Sequence, residues 1–308
     1  MNMTMAAAIM TIWVIMMMNE TFCLALVQQS YTGARETMIE FTREAIARVA
    51  ATTDLVLLQE LHTTEYFCQS ENEAFFDYAL CFDDNVRRFG AIAKEHHVVL
   101  VGSFFERRAA GLYHNTAVVF EKDGSVAGMY RKMHIPDDPG FYEKYYFAPG
   151  DLGFTPIATS VGKLGVLVCW DQWYPEAARL MALKGAEILL YPTAIGWFRG
   201  DSEDEKARQL ESWVAIQRAH AVANGIPIAA CNRVGFEKDS SGVLDGIDFW
   251  GNSFVFGAQG EPLGRLGTQS GILRATISRA RSESVRRAWP FLRDRRIDAY
   301  NGLMQRFL

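Results

Sequence analysis

Residues 164–169 read Leu164-Gly165-Val166-Leu167-Val168-Cys169, an apolar run long enough for one buried strand and closed by a thiol. Two other segments have the same form: residues 55–60 (LVLLQE) end in Glu60, and residues 127–132 (AGMYRK) end in Lys132. Ligands of open α/β sheets bind beyond the carboxyl ends of the strands. The sequence therefore predicts that a carboxylate, an ammonium group and a thiol can meet at one edge of a sheet.

Each of these three side chains also has a plainer interpretation. A thiol can be a nucleophile if a base takes its proton, and a lysine can stabilise a developing oxyanion. A cysteine at the end of a strand is, however, more often a small core hydrophobe. A glutamate after a strand is usually a solvated loop residue, and a lysine after a hairpin usually lies on the surface. On residue types and spacing alone, the catalytic and the structural interpretations both stay open.

Predicted strands and helices alternate around these segments, which is typical of an α/β fold with helices packed on sheets. We expect one domain over residues 21–308, because no linker or repeat interrupts the pattern, and a charged tail from Arg279 that wraps its edge or a neighbour. The helices are predicted at 35–51, around 86–93 with Asp83 or Asp84 as N-cap, at 175–185, and at 205–223 with Ser202 as N-cap and Gly225 at its end. The strands are predicted at 22–28, 55–58, 98–105, 116–120, 125–130, 164–168, 188–191, 226–231, 253–256 and 272–277.

Composition narrows the class of protein. The 308 residues include 31 Lys and Arg against 36 Asp and Glu, a net charge of −5, which argues against a nucleic-acid partner. The five cysteines are odd in number and have no paired spacing, which favours free thiols in a reducing compartment. We therefore expect a cytoplasmic globular protein.

The first twenty residues have a different character. Residues 5–18 (MAAAIMTIWVIMMM) are apolar and uncharged, but they are too short to span a bilayer comfortably and lack the basic start of a secretory signal. We interpret residues 1–20 as an extension of unknown role, or as the product of an early start codon with Met18 as the alternative, and we expect no membrane partner.

The motifs around the three reactive residues resemble those of the nitrilase (carbon–nitrogen hydrolase) superfamily, whose catalytic set is Glu, Lys and Cys. The resemblance runs from about Thr21 to the C-terminus. It rests first on residues 57–60 (LLQE), 130–134 (YRKMH) and 165–171 (GVLVCWD). Within that superfamily, the branch that hydrolyses N-carbamoylputrescine is similar at residues 66–69, 134–147, 169–179, 191–196 and 291–296.

The resemblance implies a four-layer αββα sandwich that forms a homo-oligomer, a dimer or larger, and a thiol amidohydrolase that needs no metal and no organic cofactor. Glu60 would be the general base and Cys169 the nucleophile. Lys132 and the backbone N–H of Trp170 would hold the oxyanion. Glu143 matches a second glutamate that the family places near the site.

A Cys–His hydrolase is the competing mechanism, and the histidines give it little support. None of the six histidines lies in a cysteine-protease signature. His134, two residues after Lys132, is expected to have a supporting role only. Cys68 and Cys81 have no His partner at ligand spacing, so a zinc site is not expected.

The substrate is predicted from charge. Relatives that hydrolyse carbamoylated amino acids place an arginine shortly after the nucleophile, and this chain has none there before Arg179. A small cationic carbamoyl amine is favoured instead. The candidate groups for it are acids near the motifs (Asp137, Asp138, Asp171 and Glu143) and a slot of aromatic rings (Trp170, Trp173 and Tyr142).

Three alternatives stay open at this point. Asp137 and Asp138 also read as turn formers beside prolines. The substrate could be that of another amidase or of a ureidopropionase-like carbamoyl hydrolase of the same superfamily. The chain could also be a non-catalytic interaction protein on the same fold, although the intact Glu60, Lys132 and Cys169 count against that.

Overall fold

Two six-stranded sheets face each other in residues 20–308, the part of the chain that this computed structural model describes. Most of the extension predicted for residues 1–20 lies outside these residues. The first sheet has the order β15 (Gly271–Ser278), β1 (Thr21–Gln28), β2 (Leu55–Leu58), β3 (Val99–Ala109), β4 (Leu112–Phe120) and β5 (Val126–Arg131). The second has the order β14 (Pro262–Arg265), β13 (Phe254–Phe256), β10 (Ile228–Asn232), β8 (Ile188–Thr193), β7 (Gly162–Val166) and β6 (Ile157–Thr159).

Helices cover the outer face of each sheet. The helices are α1 (Arg35–Ala47), α2 (Phe82–His96), the short α3 (Glu143–Tyr146), α4 (Pro175–Leu183), α5 (Glu203–Asn224) and α6 (Arg279–Ala288). Helices α1 and α2 pack on the first sheet, and α4 and α5 pack on the second. The layers are thus helix, sheet, sheet and helix, which confirms the predicted αββα sandwich.

Alternate side chains of the central strands lie on opposite faces of the first sheet, and both faces are buried. Leu24 and Leu26 of β1 join the core between the sheets, whereas Ala25 and Val27 join the core beneath α1 and α2. Successive strand side chains point to opposite faces, so a strand covered on both sides must be apolar throughout. This is why these strands read as continuous apolar runs.

Local signals at the ends of α4 and α5 are confirmed. Pro175 is the first residue of α4. The Ser202 hydroxyl accepts a hydrogen bond from the Glu205 amide at the start of α5, and Gly225 ends that helix with a φ of 60°. Glycine adopts this left-handed conformation without a steric cost.

The N-cap predicted for α2 was wrong. The helix begins at Phe82 with Cys81 in the cap position, and Asp83 and Asp84 lie in its first turn. A carboxylate in the first turn still interacts favourably with the helix dipole, so the acidic signal marked the right end of the helix but not the right residue. Asp84 instead pairs with Arg35 at 2.5 Å.

Five strands were not predicted from the sequence: β6, β14 and the three strands of a third sheet. A third, three-stranded sheet has the order β11 (Val234–Glu237), β12 (Ile247–Trp250) and β9 (Gly196–Phe198). The charged tail begins with α6, whose Val285 is buried and whose Arg286 donates a hydrogen bond to the Asn224 carbonyl. The tail therefore docks on the end of α5, an edge of the domain.

Candidate active site

The ends of three strands converge at one edge of the sandwich. Strand β5 runs in the same direction as β2, because β4 is antiparallel to both β3 and β5 while β2 and β3 are parallel. Lys132, after β5, and Glu60, after β2, therefore emerge on the same side. The Glu60 amide donates a hydrogen bond to the Thr193 carbonyl at the end of β8, and β7, which leads to Cys169, is parallel to β8.

Lys132 lies between two buried carboxylates. Its Nζ is 2.8 Å from Glu60 Oε1 and 2.6 Å from Glu143 Oε2, and all three side chains are fully buried. Burial alone would lower the pKa of Lys132, but the negative charges of Glu143 and Glu60 outweigh it and hold this pKa well above its usual range. The lysine is a fixed positive charge at this edge.

Glu143 is the second of the two buried carboxylates that flank Lys132. Burial raises the pKa of Glu143 to about 7, although the charge of Lys132 opposes the shift. The Tyr66 hydroxyl donates a hydrogen bond of 2.7 Å to Glu143 Oε1. Glu143 can therefore exchange a proton near neutral pH.

Glu60 has one occupied and one free carboxylate oxygen. Its Oε1 accepts hydrogen bonds from Lys132 and from Asn115 Nδ2, the latter at 2.6 Å. Asn115 is in turn held by Ser103, whose hydroxyl donates to Asn115 Oδ1 at 2.8 Å. The buried Oε2 of Glu60 has no hydrogen-bond partner among residues 20–308, which leaves it able to accept a proton.

Cys169 sits on a strained turn just after β7. Its backbone has a φ of 43°, a left-handed conformation that is rare for a side chain with a Cβ atom, and it begins a 3-10 turn over Cys169–Trp173. Strain of this kind is often found at functional sites. Burial raises the pKa of the Cys169 thiol, and the negative charge of Glu60 raises it further. The resting group is a thiol, so a nucleophilic attack by its sulfur requires a nearby base.

Asp171 fixes this turn and is not available to a substrate. Its Oδ2 accepts hydrogen bonds from the Val168 amide at 3.0 Å and the Tyr130 hydroxyl at 2.8 Å. Its Oδ1 accepts from the His134 amide and lies 2.7 Å from His134 Nδ1. The expectation that Asp171 could bind a cationic amine was wrong, because the side chain is fully buried and both of its oxygens are occupied.

His134 lies beside Asp171, and its supporting role stays a prediction. Its ring stacks on Tyr174 with 3.7 Å between the ring centroids, and it contacts Asp171 as described above. It lines a cavity of about 990 Å³ whose lining contains none of Glu60, Lys132 and Cys169. It therefore contacts the Cys169 turn through Asp171.

Three polar residues that the sequence analysis missed hold the loops around the site. Arg233 is fully buried and donates hydrogen bonds to the carbonyls of Glu60 and Leu61, both at 3.3 Å. Asn232 donates to the Ile195 carbonyl and accepts from the Ile195 amide. Gln172 accepts hydrogen bonds from α5 at Trp213 Nε1 and Gln217 Nε2, both at 2.7 Å. Their residue types carried no local signal, since their partners are distant in sequence.

A cavity of about 470 Å³ opens over Cys169. Two of the predicted slot residues, Trp170 and Trp173, line it, and so does Asp138. Tyr142, the third predicted slot residue, does not line it. Tyr142 is the N-cap of α3, and its amide donates a hydrogen bond to the Cys68 carbonyl at 2.9 Å. The lining is formed by Pro136, Asp138, Phe141, Cys169, Trp170, Trp173, Ala194, Ile195, Gly196, Phe198, Glu205, Arg208, Gln209, Ser212 and Trp250.

Asp138 supplies an acid to this cavity. Its Oδ1 is buried and has no hydrogen-bond partner among the described residues, and burial raises the pKa of its carboxyl group. Asp137 is exposed and does not line the cavity. Of these neighbouring acids, Asp138 is therefore the one placed to meet a cation.

The cavity also contains an arginine, which the sequence analysis did not expect. Glu205 and Arg208 come from the first two turns of α5. Glu203 and Asp204, on the same segment, are exposed, whereas the packing of α5 brings Glu205 and Arg208 to the cavity.

No group of three or more His, Cys, Asp or Glu side chains within residues 20–308 is arranged to hold a metal ion. Over the same residues, no helix is both long enough and apolar enough to cross a membrane.

Comparison with known proteins agrees with this geometry. Residues 23–287 match the family model of carbon–nitrogen hydrolases. The chain is 41% identical over 270 residues to N-carbamoylputrescine amidase of Solanum lycopersicum, a match that covers 85% of this chain and 88% of the relative. It is 37% identical over 288 residues to citrullinase of Francisella tularensis, with 92% and 98% covered.

Solved structures show the same architecture. A carbon–nitrogen hydrolase from Helicobacter pylori G27 is 58% identical with a TM-score of 0.93, over 94% of this chain and all of that one. A mutant amidase from Nesterenkonia sp. AN1, with the acetamide moiety of fluoroacetamide added covalently at its active-site cysteine, is 26% identical with a TM-score of 0.73, over 90% and 94%. The chain therefore belongs to the carbon–nitrogen hydrolase family and is a hydrolase of carbon–nitrogen bonds.

Proposed function

We propose that this protein hydrolyses N-carbamoylputrescine to putrescine, ammonia and carbon dioxide, with Glu60, Lys132 and Cys169 as its catalytic residues. The observation that carries the reaction type is the buried Glu60–Lys132–Glu143 cluster beside a strained cysteine that opens into a cavity. The relatives named N-carbamoylputrescine amidase, and the amidase whose cysteine is covalently modified, support it.

The first half-reaction transfers the carbamoyl group to sulfur. The free oxygen of Glu60 takes the thiol proton as Cys169 Sγ attacks the ureido carbon. The negative charge on the carbonyl oxygen is stabilised by the ammonium group of Lys132 and by the backbone N–H of Trp170. Glu60 then returns the proton to the nitrogen of the putrescine end, and the carbon–nitrogen bond breaks to leave an S-carbamoyl cysteine.

The second half-reaction releases the carbamoyl group. Glu60 takes a proton from water, whose oxygen attacks the S-carbamoyl carbon while the same two groups hold the oxyanion. The carbon–sulfur bond breaks, the proton returns to the Cys169 sulfur, and the released carbamic acid decomposes to ammonia and carbon dioxide. Water is the only reactant besides the substrate.

The cavity supports a cationic chain as substrate. The four-carbon chain of N-carbamoylputrescine would lie between the rings of Trp170 and Trp173, and its ammonium group would meet the unpartnered carboxylate oxygen of Asp138. A cation near an aromatic ring gains about 0.5–2 kcal/mol. A carboxylate at the same place would be repelled by Asp138.

The test is ammonia release from N-carbamoylputrescine, 3-ureidopropionate, a D-carbamoyl amino acid, a simple amide and a nitrile. A desolvated charge mismatch costs several kcal/mol, so we expect kcat/KM for N-carbamoylputrescine to exceed that for 3-ureidopropionate by at least about a thousandfold. Asp138→Asn should shrink this preference, whereas Asp137→Asn, a change of the neighbouring exposed acid, should not. Equal hydrolysis of the amine and the acid would contradict the proposed substrate and leave only the family.

A further inference from the structure

The mouth of the Cys169 cavity carries an ion pair that the reaction itself does not use. Glu205 and Arg208 line the cavity, and their side chains are 43% and 66% exposed. Cys169, in contrast, is 4% exposed. The pair therefore lies at the open end of the cavity, where the far end of an extended substrate would emerge.

The two side chains hold each other on one turn of α5. Arg208 Nη2 and Nε lie 2.5 Å and 3.2 Å from Glu205 Oε2. The other oxygen of Glu205 accepts a weaker hydrogen bond from Gln209 at 3.4 Å. Exposed pairs of this kind contribute little to stability, so Arg208 can leave Glu205 for another carboxylate at small cost.

The position of this pair matters for substrates that carry a carboxylate next to the ammonium group. An ω-ureido α-amino acid such as citrulline differs from N-carbamoylputrescine only by a carboxylate on the carbon that bears the ammonium group. Asp138 matches the ammonium group of both molecules. A planar arginine fork matches the additional carboxylate, and Arg208 provides one in the same cavity.

We propose that the Glu205–Arg208 pair determines whether this enzyme accepts an α-carboxylate: Glu205 occupies Arg208 and repels the carboxylate, so that ureido α-amino acids are poor substrates. This inference rests on the proposed hydrolysis of a ureido group at Cys169. Both residues are specificity residues, since their side-chain hydrogen bonds and ion pair are with each other and with Gln209 and not with Glu60, Lys132 or Glu143.

The experiment measures kcat/KM of the full-length enzyme for N-carbamoylputrescine and for citrulline. In Glu205→Gln, Arg208 loses its partner charge, so the ratio of citrulline to N-carbamoylputrescine should rise at least about tenfold, mainly through a lower KM for citrulline. Adding Arg208→Gln to that variant should remove the gain. Glu203→Gln is the matched control, because Glu203 pairs with Lys206 at the same spacing on the same helix but does not line the cavity, and its ratio should equal that of the wild type.

The outcomes separate this inference from the proposed function. If the wild type hydrolyses N-carbamoylputrescine and Glu205→Gln leaves the ratio unchanged, the role of the pair is wrong and the proposed function stands. The same holds if the gain survives Arg208→Gln. If the wild type hydrolyses neither ureido compound, the proposed function is wrong and this inference falls with it. A wild type that prefers citrulline would contradict both the proposed substrate and the repulsive role of Glu205.

Discussion

Cys169 combines a buried thiol with a backbone conformation that only a constrained turn can hold. The turn is fixed by Asp171, which binds the Val168 amide and Tyr130, so the sulfur is placed by hydrogen bonds on both sides of the sandwich. The thiol keeps its proton at rest because burial and the charge of Glu60 raise its pKa. Chemistry at this residue therefore depends on a base that is already in position.

Replacement of Cys169 tests the nucleophile. Cys169→Ala should abolish turnover and leave the melting temperature close to that of the wild type, because only the sulfur is lost. Cys169→Ser should be nearly as inactive, since a hydroxyl is much harder to deprotonate than a thiol of pKa near 8.5. Cys231→Ala, which removes another buried thiol outside the site, should remain active. Substantial ammonia release by Cys169→Ala would rule out the S-carbamoyl intermediate.

The raised pKa of Glu143 predicts how the free energy of unfolding changes with pH. Because burial raises this pKa to about 7, the folded chain binds a proton at Glu143 more tightly than the unfolded chain does. The stability from that proton is present below the ordinary glutamate pKa of about 4.3 and is lost as the pH rises through 7. Glu143→Gln, which is neutral at every pH, should therefore gain stability relative to the wild type between about pH 4.5 and 7, measured by urea unfolding.

Glu106 provides the control with the opposite sign. Burial tends to raise the pKa of Glu106, but hydrogen bonds from Arg131 and Thr116 outweigh it and lower this pKa below its ordinary value. Its contribution to stability is therefore present above the ordinary glutamate pKa and lost as the pH falls below it. Glu106→Gln should differ from the wild type by a constant amount between about pH 4.5 and 7. Unfolding free energies of Glu143→Gln that stay parallel to those of the wild type over that range would show that Glu143 is not protonated near pH 7.

At the scale of elements, α2 and the hairpin between β4 and β5 approach each other through two glycines. A Cβ atom on Gly90 of α2 would lie 2.6 Å from the Gly124 carbonyl oxygen, and one on Gly124 would lie 2.5 Å from the Gly90 carbonyl oxygen. Both contacts are with backbone atoms, which cannot move aside as a flexible side chain can. The helix can lie this close to the hairpin only because neither residue has a side chain.

Gly90→Ala separates this packing effect from helix propensity. Propensity alone predicts a gain of about 0.5–1 kcal/mol for alanine inside a helix. The close contact with Gly124 predicts a loss of about 1–3 kcal/mol, as for other overpacked positions. We expect a net loss in the free energy of unfolding. Gly200→Ala, whose Cβ would meet nothing within 4 Å, should be close to neutral, and a stabilised Gly90→Ala would show that the two elements can separate freely.

Residues 1–18 are expected not to be needed for solubility or activity. We expect a chain that starts at Met18 to express in soluble form and to keep the kcat/KM of the full-length protein, because β1 begins at Thr21 and the site residues all follow it. Cell fractionation of the full-length protein provides the second measurement. Full-length protein that stays in the membrane pellet after a high-salt wash, while the shorter chain does not, would establish an anchor and contradict the expected cytoplasmic location.

The homo-oligomer expected from the sequence stays a prediction. Several apolar side chains at the end of the chain are exposed, among them Ile297, Leu303 and Phe307 at 70%, 65% and 85%. Light scattering at several protein concentrations would measure the assembly state directly.

Ten of the strands in residues 20–308 and the ends of α4 and α5 could be predicted from sequence because their causes are local. Apolar residues on both faces of β1 and β2, the proline at the start of α4 and the Ser202 cap act within a few residues of where they stand. The catalytic candidates were also within reach of sequence, because the rule that ligands bind at the carboxyl ends of strands needs only the strands and the residue that follows each. Lys132 and Glu60 do lie in contact.

Trp170, Trp173 and Asp138 were candidates from sequence and do line the cavity, but which other charged groups reach it was decided by tertiary structure. The sequence suggests that the carboxylate of Asp171 is free, yet both of its oxygens accept hydrogen bonds, one of them from Tyr130, which is distant in the chain. Glu205 and Arg208 carry no sign of a site in the sequence, yet the packing of α5 on the Cys169–Trp173 turn puts them in the cavity. The physical reason is that burial and hydrogen-bond partners are set by contacts between segments far apart in the chain, and no local pattern of residues records which segments will meet.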